Sequence, residues 1–326
     1  MFLLFSFLFF FFPLISAQSA LSLSKIDMNS IQNMATLAAR AYCTPTPSTS
    51  IPIVSFKHIT MGYVTYNAKT HTLVIAFSGT KTWGQLFKHD LNPKHVDIPE
   101  FMDIPGYSDD LAMHQGFYET WKSMRVQVLE AILRLLQGNN EPFQVVLTGH
   151  SLGGVLAPLT AIDLLFHLQT MLERAHITAN VHSIRVVTFG APRFANPALA
   201  QFINSLLLSS SSFYADDTIP FNIIRVTSMK DPIVRIVPKY LGYRHVGREL
   251  LLTSRTSGVW CTQGLEYGEE DEYCDGKKGW HGRISLAVNV WHDNAYLGVH
   301  FGMKSCKTIL QQDMKAGDED GDDDSA

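Results

Sequence analysis

Apolar residues along this chain change their spacing several times, and each change marks an element. In "KIDMNSIQNMATLAARAY" the residues Ile31, Met34, Leu37 and Ala38 recur at helical spacing, which predicts a helix near the start. Three shorter runs follow, "PIVSFKHI", "GYVTYN" and "TLVIAFSG", and they predict strands. Helical spacing returns in "FYETWKSMRVQVLEAILRLLQG" and gives way to the apolar run "FQVVLT". It resumes in "LAPLTAIDLLFHLQTMLERA", where Pro158 is expected to kink the helix because it lacks an N–H and its ring crowds the preceding turn. "HSIRVVTFG" and "FNIIRVT" read as further strands flanking a helix in "ANPALAQFINSLLL". Strands alternating with helices predict an α/β fold around a mostly parallel sheet. The continuous apolar character of the inner strands predicts burial on both sheet faces. No internal repeat breaks the pattern, and residues 18–315 read as one domain.

Both ends fall outside that pattern. "MFLLFSFLFFFFPLISA" is nearly all apolar and passes through Pro13 to small residues, so residues 1–17 are expected to be a secretory signal peptide cut after Ala17. The leader lacks the usual basic start, which leaves an uncleaved anchor as the alternative, although the run is short for a membrane span. At the other end, Asp318, Glu319, Asp320, Asp322, Asp323 and Asp324 make residues 316–326 an acidic tail, expected to be solvated and disordered.

The formal charge of −4 therefore comes from the tail, and the rest of the chain is close to neutral. A near-neutral body gives no footprint for nucleic acid. Cys43, Cys261, Cys274 and Cys306 are an even set without zinc-site spacing, which fits a secreted, extracellular protein held by disulfides. Four cysteines allow three pairings, and spacing alone leaves the choice open. A Cys261–Cys274 pair would close the acidic loop "TQGLEYGEEDEY", and Cys43–Cys306 would then join the two ends of the domain.

The chemistry begins at "FQVVLTGHSLGG". Gly149-His150-Ser151-Leu152-Gly153 matches G-x-S-x-G, a weak signal alone but a specific one between a strand and a helix. Such a turn exposes the serine hydroxyl at the carboxyl end of the sheet, with helix N-terminal amides behind it. The bland alternative is a tight turn with an idle serine. His150 leaves the turn in another direction than its neighbour and is expected to pack or hydrogen-bond rather than act as base. A serine nucleophile needs an imidazole held by a carboxylate, in the chain order Ser, acid, His for this kind of sheet. Asp231 follows the strand "FNIIRVT" and is the candidate acid, whereas Asp163 sits on the helix and Asp216 and Asp217 in a Ser-rich connector. His292 comes directly after the run "ISLAVNVW" and is the candidate base, ahead of His245, His281 and His300, the last read as a core histidine. For the oxyanion, the Leu152 amide is one expected donor and Thr80, after Gly79 in "VIAFSGT", is the other.

With these residues in place the chain resembles the fungal-type class 3 lipases, filamentous-fungal triacylglycerol lipases with an α/β-hydrolase fold. The resemblance spans about residues 27–307 and rests on "VIAFSGT", "MHQGFYETW", "VVLTGHSLGG", "VVTFGAPRFANPALA", "SMKDPIVRIVP" and "HDNAYLG" in order. It implies Ser151, Asp231 and His292 as the catalytic triad, Thr80 and Leu152 as the oxyanion hole, and Cys43–Cys306 and Cys261–Cys274 as the bridges. Ser78 departs from the family pattern, standing where an arginine is common.

A family lipase also carries a lid, and "KTWGQLFKHDL" fits one. Trp83, Leu86, Phe87 and Leu91 share one helical face with Lys88 and His89 opposite, although an ordinary surface helix has the same pattern. The implied activity is hydrolysis of long-chain acylglycerols through an acyl-enzyme during transient contact with a lipid interface. A feruloyl-type or short-chain esterase and a phospholipase A1 are alternatives on the same scaffold. A non-catalytic lipid-binding relative is the alternative of another class, set back by the presence of every triad member. Neither a cofactor nor a metal is expected, and no obligate protein partner is evident.

Overall fold

The computed structural model describes residues 25–43, 49–57, 59–80, 94–210, 219–228, 231–261, 274, 295–306, 308 and 309. Helix α1 (Lys25–Arg40) precedes an antiparallel meander of β1 (Ile51–Ser55), β2 (Thr60–Asn67) and β3 (Thr72–Phe77). The run "PIVSFKHI" is therefore not one strand. Pairing stops at Ser55, and Phe56 projects from the turn with 89% exposure.

A two-stranded ribbon follows, β4 (His95–Asp97) with β5 (Ala112–His114), each strand too short to display a period in sequence. Beyond it run α2 (Gln115–Leu136), β6 (Phe143–His150), α3 (Gly153–Arg174), β7 (Val181–Phe189), α4 (Pro197–Ser210) and β8 (Phe221–Ser228). The series ends in β9 (Arg248–Leu252), β10 (Gly258–Cys261) and the short pair β11 (Ala295–Tyr296) and β12 (Val299–His300). Helix α3 runs as one element through Pro158.

The main sheet has eight strands in the order β1-β2-β3-β6-β7-β8-β9-β10. Pairing is parallel from β3 through β9 and antiparallel at both edges. Alternating side chains feed two cores. Val145 and Leu147 of β6, Ile184 and Val186 of β7 and Ile223 of β8 pack with α2, α3 and α4. Val146, Val187, Phe189, Ile224 and Val226 of the same strands pack under α1. Both faces are thus covered, the condition under which parallel sheets occur.

Two buried polar side chains tie these elements together. Thr148 donates its hydroxyl proton toward the backbone oxygens of Val187 (2.8 Å) and Met34 (3.2 Å), tying β6 to β7 and α1. Asp163 is buried between α2 and α3, where Arg125 donates Nε and Nη2 protons to its two oxygens at 2.7 and 2.9 Å. Such two-pronged pairing offsets much of the cost of burying a carboxylate, so Asp163 holds the helices that frame the elbow. Disulfides join Cys43 to Cys306 and Cys261 to Cys274, with Cα–Cα distances of 5.2 and 6.2 Å.

Candidate active site

The strand β6 ends at His150, helix α3 begins at Gly153, and Ser151 lies in the bend with φ of 59°. A left-handed backbone costs a non-glycine residue about 1–2 kcal/mol, so the surroundings must hold this conformation. They do so through close backbone approach. A methyl on Gly149 would overlap the carbonyl of Gly153, and one on Gly153 would overlap the carbonyl of Phe77 at the end of β3. A methyl on Gly154 would lie 2.7 Å from Cβ of Ala191. The glycines are therefore required by contact between the elbow and both neighbouring strands.

Ser151 is fixed further by its amide, which donates to the Phe189 carbonyl at 2.8 Å. Its Oγ is buried and has no hydrogen-bond partner among the described residues. The amides of Val155 and Leu156 donate to the Leu152 carbonyl, and that of Gly154 donates to Ser151, so the helical ladder begins immediately behind the elbow. The Leu152 amide precedes that ladder, at the positive end of α3.

Asp231 lies just past the end of β8 and is fully buried. Its Oδ1 accepts the Ile233 amide at 2.8 Å, and its Oδ2 accepts the Tyr296 hydroxyl at 2.5 Å. A methyl on Gly190, which follows β7, would come within 2.5 Å of that same Oδ2. Because Phe189 receives the Ser151 amide, the acid and the elbow flank the same strand end. Tyr296 is a site residue that sequence reasoning missed. Its signal was an aromatic a few positions past the candidate base in "HDNAYLG".

The turn after β3 meets the elbow directly. A methyl on Gly79 would lie 3.0 Å from Cβ of Ser151 and 3.1 Å from the His150 carbonyl. Ser78, at the position where an arginine is common, exchanges bonds with β2: its amide donates to Met61 O at 2.7 Å, and its Oγ accepts the Met61 amide at 3.0 Å. Thr80 follows and is buried. The chain therefore brings Ser151, Leu152, Asp231 and the Gly79–Thr80 turn to the carboxyl ends of adjacent parallel strands, the edge where open α/β sheets place their sites.

Not every sequence-based expectation falls on described residues. His292 and the lid residues Trp83, Leu86, Phe87 and Leu91 lie outside them, as do His281, Asp216, Asp217, the leader and the acidic tail. Of the competing histidines, His300 is exposed rather than in the core, because β12 is an edge strand of a two-residue pair. His245 is buried and donates from Nε2 to the Val234 carbonyl at 2.9 Å. His150 packs and hydrogen-bonds, its Nδ1 lying 2.7 Å from the Tyr42 hydroxyl. Among the described residues no group of three or more His, Cys, Asp or Glu is placed to hold a metal ion.

The model of the class 3 lipase family matches residues 74–241, a span that runs from β3 through the elbow to beyond Asp231. The chain belongs to the class 3 lipase family. This lipase-family chain is 25% identical over 220 residues to the secreted mono- and diacylglycerol lipase A of Penicillium cyclopium, covering 68% of this chain and 61% of that protein. It is 26% identical over 208 residues to a lipase of Rhizopus niveus, covering 64% of this chain and 45% of the relative. The chain thus spans less than two thirds of these relatives' own length. Among solved structures, the lipase of Rhizopus microsporus var. chinensis superposes with a TM-score of 0.66 at 20% identity, covering 90% of this chain and 94% of that one. The Rhizomucor miehei lipase in complex with its propeptide gives 0.62 at 20% identity, covering 88% and 86%. These superpositions establish the shared α/β-hydrolase fold.

Proposed function

We propose that this chain is a secreted serine carboxylic-ester hydrolase that releases fatty acids from acylglycerols. The observation that carries the reading is Ser151, held in a left-handed bend between parallel strands, with the buried Asp231 beside the same strand end. A structural turn has no need of a strained serine at that place, whereas a nucleophile must stand clear of the sheet. The names of the relatives, secreted acylglycerol lipases among them, support the same substrate class and location.

In this mechanism Ser151 Oγ attacks the ester carbonyl while the His292 imidazole takes its proton. The Leu152 and Thr80 amides receive the oxyanion, and the imidazole returns the proton to the leaving alkoxide. Water, deprotonated by the same imidazole, then releases the fatty acid. Asp231 keeps the imidazole in the required tautomer. The stretch with Trp83, Leu86, Phe87 and Leu91 serves as the lid, because exposing such a face is favoured where oil replaces water.

Purified protein assayed on emulsified long-chain triacylglycerol beside a dissolved short-chain ester tests the reading. Ser151→Ala should abolish both activities at unchanged melting temperature, and retention of activity within about tenfold would refute the nucleophile. Serine at Trp83, Leu86 and Phe87 together should depress the emulsion rate far more than the dissolved-ester rate. Equal rates to wild type on both substrates would remove the lid from the proposal.

A further inference from the structure

Helix α1 ends at Arg40, and the turn after it delivers Tyr42 into the interior, 5% exposed. Its hydroxyl oxygen accepts the Gly79 amide at 2.7 Å and lies 2.7 Å from Nδ1 of His150. The Gly79 N–H can only donate, so the Tyr42 oxygen accepts there and its own proton is free to point at Nδ1. Burial pushes the Tyr42 phenol well above its ordinary range, so it stays protonated and keeps that proton to donate.

The two residues bridged by Tyr42 are those that border the candidate oxyanion site. Gly79 precedes Thr80, and His150 precedes Ser151. Gly79 is seated so closely that an added methyl would lie 2.5 Å from the Tyr42 hydroxyl oxygen and 3.0 Å from Cβ of Ser151. Ser78 anchors the outer side of the turn to β2, and Tyr42 anchors its inner side to the elbow.

The imidazole is gripped on its flat face as well. Phe301 stacks on His150 with ring centroids 4.2 Å apart and planes inclined by 5°. Tyr42 and Phe301 come from opposite ends of the domain, and the Cys43–Cys306 bridge joins the segments that carry them. The bridge thus closes a clamp around His150.

We infer that Tyr42 is a positioning residue for ester hydrolysis: with His150, and with Phe301 behind it, it holds the Gly79–Thr80 turn at a set distance from the Ser151–Leu152 elbow. This rests on the serine-hydrolase reading above and adds what makes its oxyanion hole rigid. Tyr42 touches neither Ser151 Oγ nor a reacting atom by this account. Its effect is on donor placement, and donors stabilise an oxyanion only when already aimed at where the charge develops.

Tyr42→Phe removes the hydroxyl and keeps the ring. On a dissolved short-chain ester, kcat should fall about 10- to 100-fold with KM within about twofold, below the loss from deleting a donor outright. An alkylboronic acid, which forms a tetrahedral adduct on the serine, should lose affinity by the same factor, because it reports the transition-state geometry. A purely structural role would lower the melting temperature without this matched pair of losses. Wild-type kcat, or a kcat loss with unchanged boronic acid affinity, overturns the inference. Should Tyr42→Phe not fold, Phe301→Leu decides: it must show the same paired losses at smaller size, and wild-type values for both overturn the clamp. Ser151→Ala separates the two readings. If that variant stays active, the hydrolase mechanism itself is wrong, whereas an inactive Ser151→Ala beside an unaffected Tyr42→Phe refutes the clamp alone.

Discussion

Replacing Tyr296 by phenylalanine deletes one oxygen from a fully buried hydrogen bond of the candidate site. Tyr296 and Asp231 are both fully buried, and the hydroxyl donates to Oδ2 at 2.5 Å. Phenylalanine keeps the edge contacts of the ring with Phe189 and Phe301, at centroid distances of 5.8 and 5.9 Å, so the packing loss is small. What is lost is a hydrogen bond to a charged group, which contributes about 1.5–3 kcal/mol net. For a domain of this size that corresponds to a fall in Tm of roughly 3–10 °C. The carboxylate retains the Ile233 amide on Oδ1 but can rotate about it. In the proposed triad the imidazole paired with Asp231 is then less well oriented, and kcat on a dissolved ester should drop about tenfold, equivalent to ~1.4 kcal/mol. Thermal melts followed by circular dichroism and initial rates on the same preparation give both numbers. A Tm within about 1 °C of wild type together with unchanged kcat would show that the phenol neither stabilises nor orients Asp231.

Two other perturbations follow from the buried groups. Burial first, and the neighbouring His95 second, lower the His114 pKa from 6.5 to about 4. The unfolded chain therefore takes up a proton below pH 6.5 that the folded chain refuses until about pH 4, and stability declines as pH falls through that window. The His114 contribution has a ceiling of about 3 kcal/mol, and His114→Gln should flatten the acid limb of a urea-denaturation series. An unchanged slope would show that His114 charges freely in the fold. Replacing Cys43 and Cys306 together by serine opens a loop with a sequence separation of 263, which by chain entropy costs up to ~5 kcal/mol. The unfolding midpoint in urea should fall, and a midpoint equal to that of wild type would show that the bridge adds nothing to stability.

Much of this protein was legible from local pattern. Helical spacing and apolar runs are set by which side chains must leave water, so α1 through α4 and the inner strands could be read without a fold. The elbow was legible because the close approach that demands Gly149, to the Gly153 carbonyl, acts within five residues, whereas the contact that demands Gly153, with Phe77, is long-range. The place of Asp231 just past a strand was legible because a strand end is a local feature. Other facts depend on where distant segments meet, and these only the tertiary structure decided. Tyr296 finds Asp231 across 65 positions, and Tyr42 finds His150 across 108. Neither tyrosine differs in composition or spacing from an ordinary core aromatic. The same holds for the cysteines, whose count allowed three pairings until the chain ends were brought together, and for His300, read as a core histidine but exposed in the fold. Hydrophobic burial is read along the chain because every residue carries its own transfer free energy. A hydrogen bond or a disulfide belongs to a pair, and which pair forms is decided by distance in space.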